Sequence, residues 1–203
     1  GKTTVDGGRL IVNGKNNGTG SYTVNEGATL AGQGTIGGAV VVNEGGTLHA
    51  GDTLINRLLI INGALTLKSS SVVEAPVTAQ GNNKLSLKGN TTIGENVTLR
   101  LADNVFEQAP YDGTEYQVFV KSTSVTISGT FANIVPATPG EGQVWDTTEL
   151  YTKGVIKVVG GEPKPGNPDE PYPGVDPQPA EKRTALLTWG NMKTSSYNGG
   201  SVN

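Results

Sequence analysis

Aliphatic residues alternate with Thr, Asn and Ser along most of the first hundred positions, as in Ala28-Thr29-Leu30 and Thr47-Leu48. A period of two sends one set of side chains inward and the other to water, which is the pattern of half-buried strands. Between these runs stand Glu26-Gly27, Gly32-Gln33-Gly34, Gly37-Gly38 and Gly45-Gly46, where glycine permits tight corners. With 30 glycines and no stretch of convincing 3.6-residue period, the chain predicts short strands joined by corners, not helices.

The strands repeat. Val24-Asn25-Glu26-Gly27-Ala28-Thr29-Leu30 is written again 18 residues later as Val42-Asn43-Glu44-Gly45-Gly46-Thr47-Leu48. Steps of 18 and 19 residues place Val24, Val42 and Ile61 in one column and Leu30, Leu48 and Leu67 in a second, with Ile36 and Leu54 in a third. Ile93-Gly94-Glu95-Asn96-Val97-Thr98-Leu99 is a weaker echo, and Leu85-Ser86-Leu87 alternates as a strand does. Coils of constant length, stacked about 4.8 Å apart, would close each strand's ladder on the next and bury one long core. The expected fold class is therefore all-β, a right-handed parallel β-helix (β-solenoid), with the hand taken from the general rule for parallel crossovers. An antiparallel sandwich explains strands and turns but not the constant step.

The stretch from Ala28-Thr29-Leu30-Ala31-Gly32-Gln33-Gly34-Thr35-Ile36-Gly37-Gly38 to Val41-Val42-Asn43-Glu44-Gly45-Gly46-Thr47-Leu48-His49-Ala50-Gly51-Asp52 resembles the passenger-associated transport repeat of bacterial autotransporter passengers. His49-Ala50-Gly51 stands where that family usually reads Ser-Pro-Gly, a departure at a corner. Trp145-Asp146-Thr147 and the strand-like run to Val158 resemble the closing segment of such passengers, so a C-terminal cap is expected. Tyr116, Val118 and Val120 alternate with Gln117, Phe119 and Lys121, and Val125, Ile127 and Phe131 follow, as befits terminal coils under a shield for the last rung. The resemblance covers roughly residues 20–160. It implies secretion or display on a bacterial cell surface and a passenger-like or stalk-like role, and it implies no particular reaction.

Composition narrows the partners. Charged residues make up 16% of the 203 residues and the net charge is -3, so no field draws polyanions and nucleic acid is not expected. There is no cysteine, which excludes disulfides and thiolate metal sites. The aliphatic runs Ala39–Val42 and Leu58–Ile61 are far shorter than the roughly 20 residues of a membrane-spanning helix, and no membrane insertion is expected. The chain opens on glycine without a charged-then-apolar signal segment, and it reads as part of a larger polypeptide. After residue 160 it offers no series of amphipathic strands for an export barrel.

Three regions follow: a solenoid with cap over 1–160, a linker over 161–180 and a tail over 181–203. Seven of the eleven prolines lie between Gly161 and Pro179, which suits an extended, hydrated spacer. The tail carries Ala185-Leu186-Leu187-Thr188-Trp189; it is read as the first strand of a following domain, the alternative being a segment docked back through Trp189.

Candidate chemistry is sparse. Gly32-Gln33-Gly34-Thr35-Ile36-Gly37 fits G-x-G-x-x-G, but a strand-like run follows where a dinucleotide fold needs a helix. His49 is the single histidine; it is placed at a water-facing corner, and Ser69, Ser70 and Ser71 nearby lack a nucleophile elbow. Asp52 with Arg57, and Arg100 with Asp103, fall near two corners, without the dense carboxylates of a polysaccharide-cleaving groove. Trp145, Trp189 and the tyrosines are scattered as sugar-stacking platforms, with Tyr116 and Trp145 read as cap residues. The triplets starting at Asn17, Asn90 and Asn96 match a glycosylation acceptor by composition alone. No catalytic, metal or cofactor-binding residue is assigned, and no cofactor is expected. The expected function is a non-enzymatic, secreted or cell-surface spacer and interaction surface whose partner is an extracellular or cell-surface polysaccharide or protein; the alternatives are the C-terminal part of a pectate-lyase-like enzyme and a carbohydrate-binding module.

Overall fold

A computed structural model describes residues 1–164 except Ala79, Val105 and Glu107; the tail, most of the proline-rich linker and Trp189 lie outside the described residues. Residues Gly1–Lys164 form one compact unit. All regular structure among them is β. Three parallel sheets take the strands in rotation. The first holds Thr3–Val5, Tyr22–Val24, Val40–Val42, Leu65–Leu67, Thr91–Ile93 and Ile127–Ser128. The second holds Gly8–Ile11, Ala28–Gly32, Thr47–Ala50, Val72–Glu74, Thr98–Arg100 and Asn133–Val135. The third holds Lys15–Asn16, Thr35–Ile36, Leu58–Ile61, Lys84–Leu87 and Phe119–Lys121. Five successive circuits visit all three sheets and a sixth visits the first two, an arrangement compatible with a β-solenoid.

The inward columns are continuous. Val5, Val24, Val42, Leu67 and Ile93 lie in register on the first sheet. Leu10, Leu30, Leu48, Val73, Leu99 and Ile134 do so on the second, and Ile36, Ile61 and Leu87 on the third. Val24, Leu30, Ile36, Val42, Leu48 and Ile61 are fully buried, each worth on the order of 1.5–3 kcal/mol for its apolar side chain.

This corrects the columns read from the repeat. Ile61 lies on Ile36 and not on Val42; Leu67 lies on Val42, while Val73 is the residue that lies on Leu48. Leu54 belongs to no column and is 51% exposed. The cause is insertion: residues 51–57 lengthen the third circuit, so the step grows from 18 residues to 25 between Val42 and Leu67, and the Val77–Thr78/Gly81–Asn82 hairpin lengthens the fourth to give 26 between Leu67 and Ile93. Two strands of one circuit then imitate two copies of the repeat.

Each corner has its own chemistry. Between the first and second sheets, Gly27, Gly45, Ser70 and Asn96 all take positive φ, from 54° to 70°, and the amides of Asn43 and Asn25 and the carboxylate of Asp6 form a ladder at 2.6 and 2.5 Å. Between the third and first sheets a column of glycines allows backbone to lie on backbone: a Cβ on Gly38 would fall 1.9 Å from the Gly20 carbonyl oxygen, and one on Gly63 would fall 2.4 Å from the Gly38 carbonyl carbon. Between the second and third sheets the circuits grow. The 51–57 loop in the third is followed by the Val77–Thr78/Gly81–Asn82 hairpin in the fourth and the segment carrying Glu115–Gln117 in the fifth. Asn56 donates to the Gln80 carbonyl and Asn82 to that of Gln117, so these insertions tie to one another.

Tyr116 to Lys121, expected as one alternating run, divides between two sheets. Glu115–Gln117 pairs antiparallel with Val155–Val159, which also takes Val144–Asp146, whereas Phe119–Lys121 joins the third parallel sheet. The alternation therefore breaks, with Phe119 buried and Val120 exposed. Phe119 stacks on Phe131 and Phe131 on Tyr151, at 6.1 and 6.3 Å between ring centres. Trp145 donates its indole N–H to the Pro136 carbonyl and meets Phe106 and Tyr116 edge-on.

Candidate functional site

The outward face of the second sheet carries a row of titratable side chains where the sequence showed isolated ones. His49, Glu74 and Arg100 each follow an inward residue of the column Leu48, Val73, Leu99, and register stacks them on adjacent strands. His49 is thus within a strand and 12% exposed, not at a water-facing corner, because the extra residues of the third circuit fold back beside it.

The contacts are loose. His49 Nδ1 lies 3.1 Å from the Gly51 carbonyl oxygen; a carbonyl only accepts, so this nitrogen carries a proton, and Nε2 is turned to the Glu74 side. Nε2 stands 3.8 Å from Glu74 Oε2. Arg100 Nη1 is 3.6 Å from Glu74 Oε1 and 3.8 Å from Asp103 Oδ1, both longer than a hydrogen bond. Arg100 Nε is buried without a hydrogen-bond partner among the described residues. Glu74 is 23% exposed and Asp103 86%, so the first lies in the wall and the second at the rim.

Pro76, Leu101 and Ala102 complete a cleft of about 140 Å³. They belong to the strand-to-insertion junctions of the fourth and fifth circuits, so the widening corner makes its apolar side and the sheet its polar side. The lining offers an imidazole, two carboxylates and a guanidinium, with no hydroxyl or thiol nucleophile. Such a set binds and polarises hydrogen-bonding groups, and no relay of the Ser-His-Asp kind is assembled in it.

Other candidates separate. Ser69 and Ser71 spend their hydroxyls on the Glu95 and Lys68 carbonyls. Asp52 and Arg57 share a loop but form no ion pair among the described residues. Asp52 instead accepts from Asn13 at 3.0 Å and from the Thr53 backbone N–H, and these bonds, Thr53 first, hold its carboxyl below the usual range. The Arg57 backbone N–H donates to Asn83. The glycines of Gly32–Gly37 serve stacking: the Gly34 and Gly37 amides donate to the Val12 and Asn16 carbonyls of the coil beneath. Asn90 accepts from the Thr126 N–H. On the antiparallel sheet, Lys157 lies between Glu115 and Asp146 in register, and Glu149 holds the Lys153 ammonium above its ordinary value, a network of three carboxylates and two ammonium groups.

The sequence pointed to His49 alone and to Arg100 with Asp103 as a pair, and it did not point to Glu74. The usable signal was the position after the repeat's second apolar column, which needed the 25-residue step to extend past His49. Comparison with protein-family models, curated proteins and solved structures finds no match.

Proposed function

We propose that this chain is a secreted or cell-surface bacterial module, a right-handed parallel β-helix of the autotransporter-passenger kind closed by a C-terminal cap, that serves as a stiff spacer and contact surface without catalysis of its own. The observation that carries the reading is the unbroken register of three parallel ladders through successive circuits. Every inward position in them is apolar from the second circuit to the fourth, which makes the stack resist bending about any one coil. The right hand follows the general preference of parallel crossovers. In the cap, Tyr151 and Phe131 would cover the end of the stack: the Tyr151 hydroxyl accepts from the Phe131 N–H at 2.9 Å, and Trp145 fills the side with Phe106 and Tyr116. The partner is an extracellular polysaccharide or protein, and exposed outward Thr residues such as Thr4 and Thr92 give it a polar, lightly charged face.

Localisation tests this role. Antibody raised to residues 1–164 should label intact cells or culture supernatant of the source organism, and protease added to intact cells should remove the signal. Antigen confined to the soluble interior after fractionation would overturn the proposal.

A further inference from the structure

Three polar side chains line one cleft without a hydrogen bond to one another among the described residues. Arg100 has a buried Nε without a partner and reaches two carboxylates only at 3.6 and 3.8 Å. No hydrogen bond reaches the Glu74 carboxylate among the described residues, the Arg100 guanidinium standing 3.6 Å and His49 Nε2 3.8 Å away. His49 Nε2 makes no hydrogen bond among the described residues, while Nδ1 is engaged by Gly51. These side chains are 12–41% exposed, so a ligand that pairs them together takes the place of the water they would otherwise hold.

Charge selects the ligand. Glu74 and Arg100 cancel, and Asp103 at the rim adds a negative charge. An anion would meet two carboxylates beside one guanidinium, and a cation would meet Arg100 at the centre. A neutral hydroxyl suits every group, since it donates to Glu74 or to His49 Nε2 and accepts from Arg100 in the same contact. Two adjacent hydroxyls would span carboxylate and guanidinium, whose 3.6 Å gap leaves each open to its own partner. Pro76, Leu101 and Ala102 on the other side offer an apolar wall to ring C–H groups. The geometry points to a binding site for a neutral saccharide, held through a vicinal diol by Glu74, Arg100 and His49. The cleft's chemistry does not depend on where the chain is displayed.

The single histidine makes the test specific. Its ring resonances are followed by NMR in the whole chain while methyl glycosides of glucose, galactose and mannose and their neutral trisaccharides are added, with trigalacturonate and a glucosamine trimer as charged counterparts. A saturable shift of the His49 resonances by a neutral sugar is expected. Glu74→Gln and Arg100→Gln should each weaken it by about tenfold or more, with melting temperature retained. Glu44→Gln, at an exposed corner outside the cleft, should leave neutral binding in place. Absence of a saturable shift from any neutral probe, tighter binding of either charged trimer, or undiminished binding by folded Glu74→Gln protein would overturn the site.

Discussion

At the scale of single residues, a glycine's importance depends on what lies beneath it. A methyl group on Gly63 would meet the Gly38 carbonyl carbon and the Ala39 nitrogen at 2.4 Å, while one on Gly7 would meet nothing within 4 Å. Both neighbours of Gly63 are main chain held in ladders, so the coils must part or the corner must shift. Gly63→Ala is expected to cost about 1–3 kcal/mol, and Gly7→Ala to change stability by less than about 0.5 kcal/mol; urea unfolding of the two variants measures this, and equal effects would refute the close approach. The two glycines look alike in the sequence, because the clash comes from a residue 25 positions away. Titration gives a second residue-scale outcome. Burial pushes the Tyr116 and Tyr151 hydroxyls above their ordinary 10.0, Tyr151 despite the opposing bond from Phe131. A raised tyrosine contributes in full below its unfolded value and loses that contribution as pH climbs toward the folded one, since only the unfolded chain then releases the proton. Unfolding free energy should therefore fall above about pH 10, and Tyr151→Phe should flatten that fall; an unchanged alkaline slope would show that its burial is not coupled to folding.

At the scale of elements, strands were legible and circuits were not. Alternation in Ala28–Leu30 and Thr47–Leu48 reports a strand locally, and the echo at Ile93–Leu99 found its true neighbours, because Leu99 does continue the column of Leu30 and Leu48 through Val73. The loop at 51–57 defeated the counting. Its residues carry no period, and Leu54, an aliphatic at nearly the right step from Ile36, mimicked a column while standing in solvent. What fixes this loop is Asn83, 2% exposed, whose amide donates to the Ala50 and Leu54 carbonyls at 3.0 and 2.9 Å and accepts from the Arg57 N–H at 2.8 Å. One side chain thus replaces the ladder bonds that the insertion interrupts. Asn83→Leu keeps the volume and strands these three backbone groups, each worth about 1–3 kcal/mol if left dry. The loop should answer by opening to water. Hydrogen exchange over residues 51–57 should accelerate and trypsin should cut after Arg57 sooner, while the ladder strands keep their protection. Unaltered exchange in the loop would mean that Asn83 is not its anchor. The same missed insertion concealed Glu74, and with it the cleft.

At the scale of the whole stack, stability is shared between neighbouring circuits, so position along the axis matters as much as burial. Val42 is fully buried on the first sheet, with Val24 on one side and Leu67 on the other, and the third circuit joins the first two to the rest. An aspartate there would sit in an apolar column with no partner; it would be driven to protonate, and its acid group would still lack hydrogen bonds. Because each circuit draws its stability from two interfaces, spoiling the third removes both and divides the ladder. Val41 is the informative control. It lies one residue away on the same strand and is only half-buried, its side chain on the outer side of the sheet, so a charge there reaches water. Val42→Asp is expected to abolish the cooperative thermal transition followed by circular dichroism, and Val41→Asp to shift it only slightly. Exchange measurements on Val42→Asp should show protection lost in the first two circuits before the fifth, since Thr91–Ile93 and Thr98–Arg100 retain neighbours on the far side. Equal melting of the two variants would remove the distinction between inner and outer positions, and with it the stacked core on which the proposed spacer role rests.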